Sequence, residues 1–123
     1  MNNELIKIIE IENEEREFHF KFKSKKCIDL EKATGKKFID LLQDISLGNV
    51  CMLLKAAVVS PTDFDVNDLL DALMEELSLE KVMLDVIYET AVISGIISKE
   101  QKQKIDDYFN EKNEVKKIDE EKK

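Results

Sequence analysis

Hydrophobic positions along this chain change period near residue 24. Over residues 5–22 they alternate. Phe18, Phe20 and Phe22 fall on one face, with Glu17, His19 and Lys21 on the other, the period of a strand with one buried face. From Ser24 onward apolar residues recur every three or four positions, as in Val66, Leu69, Leu70, Leu73 and Leu77. The pattern predicts an α+β fold, mainly α: an N-terminal two-stranded antiparallel β-hairpin packed on a compact bundle of about five to six helices.

Strand one is predicted at Leu5–Ile11 and strand two at Arg16–Phe22, joined by a tip rich in Glu around Asn13. A two-residue Asn13-Glu14 turn would set Ile9 opposite Phe18, and a four-residue loop would set Ile11 opposite Phe18. Both registers put the phenylalanines and the odd-numbered aliphatics on one face. A lone hairpin is marginal in water, so this face needs helices to cover it. Ser24 is the expected N-cap of a first helix carrying Cys27, Leu30 and Ala33, and Gly35 its stop. A short second helix holds Phe38, Leu41, Leu42 and Ile45. Residues 46–49 break the pattern, and a third helix runs to about Val59. The chain's only proline lies in the loop Ser60-Pro61-Thr62-Asp63. Asp65 is expected to cap a fourth helix, Val66–Leu77, and Ser78 a fifth that ends near Gly95. Ser98 with Gln101 forms a capping-box pattern for a sixth helix bearing Ile105, Tyr108 and Phe109. The expected organisation is one globular domain over residues 1–110, with the hairpin at 5–22 and the helical body at 24–110. A charged tail over 111–123 has too few apolar groups to order itself and is expected to fray or stay disordered.

The placement of charge adds to this picture. The net charge is −8. Residues 1–60 carry ten bases and ten acids, whereas residues 63–89 carry nine acids against the single base Lys81. One segment therefore holds the whole net charge, and such a block repels nucleic acid phosphates. On the fourth helix the inner stripe is apolar, while Asp68, Asp71, Glu75 and Glu76 project elsewhere. Two readings are open for these four residues: a solvated face serving solubility, or a docking face for a partner with basic character. Helices three and five are short of charge, with only Lys55 between Val50 and Val59 and only Asp85 and Glu89 between Val82 and Ile97. A helix apolar nearly all round is buried on most sides or lies against a partner. Any uncovered stripe is expected at Leu84, Tyr88 and Val92, which lie four apart in one row and would support a weak homo-oligomer.

Candidate chemistry is sparse. The only histidine, His19, falls on the polar hairpin face, with no second His or nearby Cys for a triad or zinc site. Cys27 and Cys51 lack the paired spacing of zinc or redox motifs and read as small core hydrophobes. Asp63-x-Asp65-x-Asn67 matches the start of a calcium loop, but Asp68 stands where its sharp turn needs glycine and Met74 where it needs a bidentate Glu. Gly35-Lys36-Lys37 lacks the remainder of a phosphate loop. The expectation is a chain without catalytic residues, cofactor or metal. No apolar run approaches the ~20 residues of a membrane span. Met1-Asn2-Asn3-Glu4 lacks the basic start of a signal peptide, so a cytoplasmic location is expected.

Phe18-x-Phe20-x-Phe22, followed by Leu30-Glu31-x-x-Thr34-Gly35-Lys36-x-Phe38-x-x-Leu41-Leu42, resembles the start of the tail assembly chaperones of long-tailed phages and Gram-positive prophages. The resemblance extends through the apolar helix with Leu53, Leu54, Ala56 and Ala57 to Asp65 and Asp68-Leu69-Leu70-Asp71. It covers roughly residues 5–97 and rests on spacing and residue class. It implies a non-enzymatic protein that binds the tape measure protein and the tail tube protein during tail assembly and is absent from the mature virion. Members of this family are often made in two lengths through a frameshift, which the resemblance would place in the tail over 111–123. It brings no catalytic or residue-level binding motif. Two other classes fit the same composition: an acidic phage-encoded regulatory or anti-host binding protein, and a structural head–tail connector component.

Overall fold

The structure, a computed structural model, describes residues 3–108 and 110. Strands β1 (Leu5–Ile11) and β2 (Glu14–Phe20) form the N-terminal hairpin, followed by α1 (Ser24–Thr34), α2 (Phe38–Leu41) and α3 (Leu47–Ala57). A short β3 (Val58–Ser60) leads through a loop to α4 (Val66–Met74). The chain then runs through α5 (Leu79–Val82), a π-helical segment (Met83–Tyr88) and α6 (Glu89–Ile93), and ends its described part in α7 over residues 99–108. The fold is α+β and mainly helical, with a three-stranded antiparallel sheet in the order β1-β2-β3.

The buried face of the hairpin is the expected one. Phe18 and Phe20 are fully buried, Phe22 and Ile9 nearly so, while Ile6 and Ile8 on the opposite face are exposed. The register differs from both alternatives. The turn lies at Glu12-Asn13, both with left-handed φ (54° and 65°), so Ile11 faces Glu14, Lys7 faces Phe18 and Leu5 faces Phe20. Two positive φ angles define the primed turn whose twist matches its strands, and Asn accepts that conformation more readily than most residues. Strand two accordingly ends at Phe20. Phe22 stays in the core by packing edge-on against Phe38, with ring centroids 5.1 Å apart.

The third helix ends at Ala57 rather than near Val59, and Val58–Ser60 forms a strand on the open edge of β2. β-branched Val58 and Val59 suit either assignment locally, and pairing with β2 decides it. The same helix begins earlier than expected, at Leu47. Asn49 sits in its first turn and donates from Nδ2 to the carbonyls of Leu41 and Asp44, at 2.6 Å each, closing the end of α2. Lys23, not Ser24, occupies the cap position of α1 and makes no side-chain capping bond. That helix buries no residue fully: Cys27 and Leu30 are half-buried and Ala33 is exposed.

Elsewhere the capping signals act as the sequence suggests. Gly35 adopts the left-handed conformation at the end of α1 (φ 71°) and donates its N–H to Glu31 O. The Asp65 carboxylate accepts from the amides of Asn67 and Asp68 at 2.8 and 3.2 Å. Ser78 Oγ accepts from Lys81 N, and Ser98 and Gln101 exchange both bonds of a capping box.

The core lies between the sheet and the run of helices from α3 to α6. In α3 the residues Val50, Leu53, Leu54 and Ala57 are at or near zero exposure. Five of the six residues in the π-helical segment are buried, all but Asp85. Its i→i+5 hydrogen bonding widens the turn, so residues four apart no longer stack in one row. The row Leu84, Tyr88 and Val92 expected for self-association is not a surface stripe, because the segment is enclosed on nearly all sides: Leu84 and Tyr88 lie in the core and Val92 is half-buried. The tail at 111–123 and Phe109 lie outside the described residues.

Truncating Phe20, which is fully buried, leaves a cavity at the centre of the sheet–helix interface. Phe20→Ala is expected to lower stability by about 3–5 kcal/mol in denaturant unfolding. A wild-type midpoint for that variant would mean that the hairpin is a detached arm.

Candidate partner-binding site

A concavity follows from where α4 meets the hairpin. α4 packs on β1 and buries Leu69, Leu70 and Leu73, and its end shares a concavity with the hairpin tip. Between them lies an open groove of about 760 Å³. One wall is the stretch Lys7 to Glu10 of β1 with Glu12, Asn13 and Glu15 of the tip. The other is the end of α4 and the turn after it, with Ala72, Leu73, Glu75, Glu76 and Leu77, joined by Asp85. Six carboxylates line the groove, with Lys7 the one base among its lining residues.

Asp68, Asp71, Glu75 and Glu76, taken from the sequence as a docking face, are all exposed on the outer side of α4 or just beyond it. Glu75 and Glu76 line the groove, and Asp68 and Asp71 do not. Glu10, Glu12 and Glu15 join them only through folding. The charge count over residues 1–60 hid them, because lysines at 21–37 cancel them in the sum while lying on and around α1. A narrower window over residues 10–17, with five Glu against Arg16, carries the signal.

Other candidate groups have structural partners. Asp63 pairs with Arg16, Oδ1 to Nη2 at 3.1 Å, and the Arg16 guanidinium lies 5.8 Å from the centre of the Phe18 ring. With Asp63 so engaged and Asp65 capping α4, the calcium-like carboxylates do not converge. Among the described residues no group of three or more His, Cys, Asp or Glu is placed to hold a metal ion. Burial, reinforced by Glu31, pushes the Cys27 thiol up, so it stays protonated and weakly nucleophilic. The Tyr88 hydroxyl donates to the Leu42 carbonyl in the core. Burial, with the nearby Asp106 charge, raises its pKa to about 12, so it remains neutral. Beside it Gln43, Lys104, Ile105 and Tyr108 line a mainly apolar hollow of about 350 Å³.

The residues that carry the family resemblance have local structural roles. Thr34 Oγ1 donates to Leu30 O and accepts from Lys36 N, while the Glu31 carboxylate accepts the Phe38 amide at 2.9 Å. The element Leu30-Glu31…Thr34-Gly35 is thus the joint between α1 and α2. Among the described residues no helix is long and apolar enough to cross a membrane. The chain matches no protein-family model, no curated protein and no solved structure.

His19 lies on the outer sheet face between Glu17, 2.9 Å from Nε2, and Glu4, 3.8 Å from Nδ1. The hydrogen bond to Glu17 outweighs partial desolvation and, with the two carboxylate charges, raises its pKa above the ordinary 6.5. A raised folded-state pKa stabilises the fold fully below the unfolded value and is lost as pH rises through the folded one. An NMR titration of His19 should therefore give a midpoint above 6.5, which Glu17→Gln moves down. An unshifted midpoint in that variant would show that the Glu17 contact is absent in solution.

Proposed function

We propose that this chain is a non-enzymatic tail assembly chaperone that binds the tape measure protein and assists tail tube assembly in the cytoplasm of a bacterial host. The observation that carries the reading is the groove between hairpin and α4, with six carboxylates on its walls. That surface suits a basic segment of a partner and repels nucleic acid. The resemblance over residues 5–97 supplies the identity of the partner. Members of that family hold a long chain soluble before assembly, a task that calls for a reversible docking surface rather than a catalytic centre. An acidic groove, whose attraction for a basic segment salt would screen, suits that requirement.

The reading is tested by co-expression with a tape measure protein and a tail tube protein from the same genome. Co-purification with either supports it. Capture of a host nucleic-acid enzyme in their place would favour an anti-host role, and retention in purified particles would favour a head–tail connector. Reversing charge with Asp71→Lys, Glu75→Lys and Glu76→Lys should keep the fold, since all three side chains are exposed. The acidic i,i+4 pair of Asp71 and Glu75 becomes a basic pair at the same spacing, so that repulsion is retained, while positive charge at the end of α4 suits the helix dipole. Binding of the tape measure protein should weaken by about tenfold or more at low salt, and the difference should shrink as salt rises. Glu75→Lys with Glu76→Lys should carry most of the loss, because Asp71 stands outside the groove. Unchanged affinity for the triple variant at low salt would remove this face from consideration.

A further inference from the structure

One wall of the groove is a strand edge, and its chemistry goes beyond charge. β1 is an outer strand of the sheet, paired on one side only, with β2. The two-residue turn at Glu12-Asn13 makes Ile11 and Glu14 the first hydrogen-bonded pair of the hairpin. Alternation then places the bonded pairs at Ile9–Arg16, Lys7–Phe18 and Leu5–Phe20. The backbone N–H and C=O groups of Ile6, Ile8 and Glu10 consequently point away from β2. Among the described residues no hydrogen bond from another element fills them.

Natural sheets guard such edges with short strands, proline, bulges or charge. The opposite edge is guarded: β3 is three residues long and runs into Pro61. β1 is seven residues long, has no proline and pairs with β2 without a bulge. Its outward side chains include Ile6 and Ile8, 51% and 67% exposed. The groove runs beside this edge, since Lys7, Ile8, Ile9 and Glu10, residues of both faces, line it together with Glu75, Glu76 and Asp85.

We propose that the β1 edge accepts an extended peptide segment as a fourth strand, with Lys or Arg at alternate positions facing the carboxylates of the groove and aliphatic residues between them beside Ile6 and Ile8. Backbone pairing supplies register-independent affinity, and the walls select the charge of alternate side chains. A second copy of this chain is the wrong occupant for β1. Edge-to-edge pairing would bring two sets of Glu10, Glu75, Glu76 and Asp85 together, and like charges so placed oppose association. The inference rests on the groove as a docking site and not on the identity of the tape measure protein.

The probe is a ten-residue peptide of alternating Lys and Val, used with two derivatives N-methylated at all Lys or all Val residues. In a strand, N–H groups alternate sides with the side chains, so only one derivative loses the bonds that reach β1. Fluorescence anisotropy at low salt should show binding of the parent peptide, a loss of about tenfold or more for one derivative, and little change for the other. Hydrogen exchange at the amides of Ile6, Ile8 and Glu10 should slow on binding. Ile8→Pro removes an outward N–H at an edge position and should weaken binding while retaining the wild-type melting temperature.

No binding of the parent peptide would overturn the proposal. Equal binding by both derivatives, with exchange at β1 unchanged, would also overturn it, because electrostatic attraction alone would then explain the complex. A concentration-dependent oligomer of the chain alone, dissolved by Glu75→Lys with Glu76→Lys, would assign the groove to the lysine-rich α1 of a second copy and likewise overturn it. The two readings separate cleanly. Edge protection by the peptide without capture of the tape measure protein ends the chaperone reading and keeps this one, and capture without edge protection does the reverse.

Discussion

Burial of one aromatic row holds this structure together. A hairpin alone cannot bury its apolar face, and here the row Phe18, Phe20 and Phe22, from β2 and just past its end, reaches the loop before α4, the core and α2. Phe18 meets Phe64 of the loop before α4 edge-on, with centroids 5.9 Å apart. Phe20 stacks beside Phe18 over the core, and Phe22 meets Phe38 of α2. Each large aromatic contributes on the order of 1.5–3 kcal/mol by leaving water, enough for three of them to fix the sheet on the helices. The groove inherits its shape from this docking. Without it β1 would have no fixed position relative to α4, and the carboxylates of tip and helix would not share a concavity.

Polar contacts then set the directions in which the helices leave that core. Phe22 donates its N–H to Ser94 Oγ at 2.8 Å, tying the end of the hairpin to the end of α6. The Tyr88 hydroxyl reaches the Leu42 carbonyl, and Asn49 closes the end of α2. Among the described residues every buried side-chain nitrogen and oxygen has a partner. An unfilled group would cost about 1–3 kcal/mol, so these bonds exclude alternative packings more than they add stability. Lys102 fastens α7 to the body through Glu89 of α6 at 3.0 Å, and pairs with Asp106 of its own helix at 2.8 Å. Burial works against its charge, but the two carboxylates outweigh that and raise its pKa.

Charge is segregated on the finished molecule. Hairpin tip, end of α4 and Asp85 form an acidic groove, while lysines 23, 25, 26 and 32 stand exposed on and just before α1. Such a separation would orient a basic partner toward the groove and make the encounter sensitive to salt. Specificity needs more than this field. The open edge of β1 offers directional hydrogen bonds where the carboxylates offer none, and the two features occupy the same groove.

The sequence by itself determined the elements whose signals are local. Alternation at Phe18, Phe20 and Phe22 marked the buried face, because a strand fixes side-chain direction residue by residue. Asp65, Ser78, Ser98 with Gln101, and Gly35 marked helix ends, because a cap bonds within its own turn. Tertiary structure decided what depends on distant partners. Whether Val58 and Val59 continue a helix or pair with β2 is settled by an open edge some forty residues earlier in the chain. The hairpin register moved because a turn at Glu12-Asn13 satisfies the strand twist, while either register keeps the same face buried. Leu84 and Tyr88 lie in the core because the segment Met83–Tyr88 is enclosed on nearly all sides, and which elements cover it is a matter of packing that a helical period does not record. Glu75 and Glu76 could be singled out in the sequence as acidic and exposed, but their meeting with Glu10, Glu12 and Glu15 could not. Proximity across sixty residues is a product of packing, and charge counted along a chain does not record where the fold will carry it.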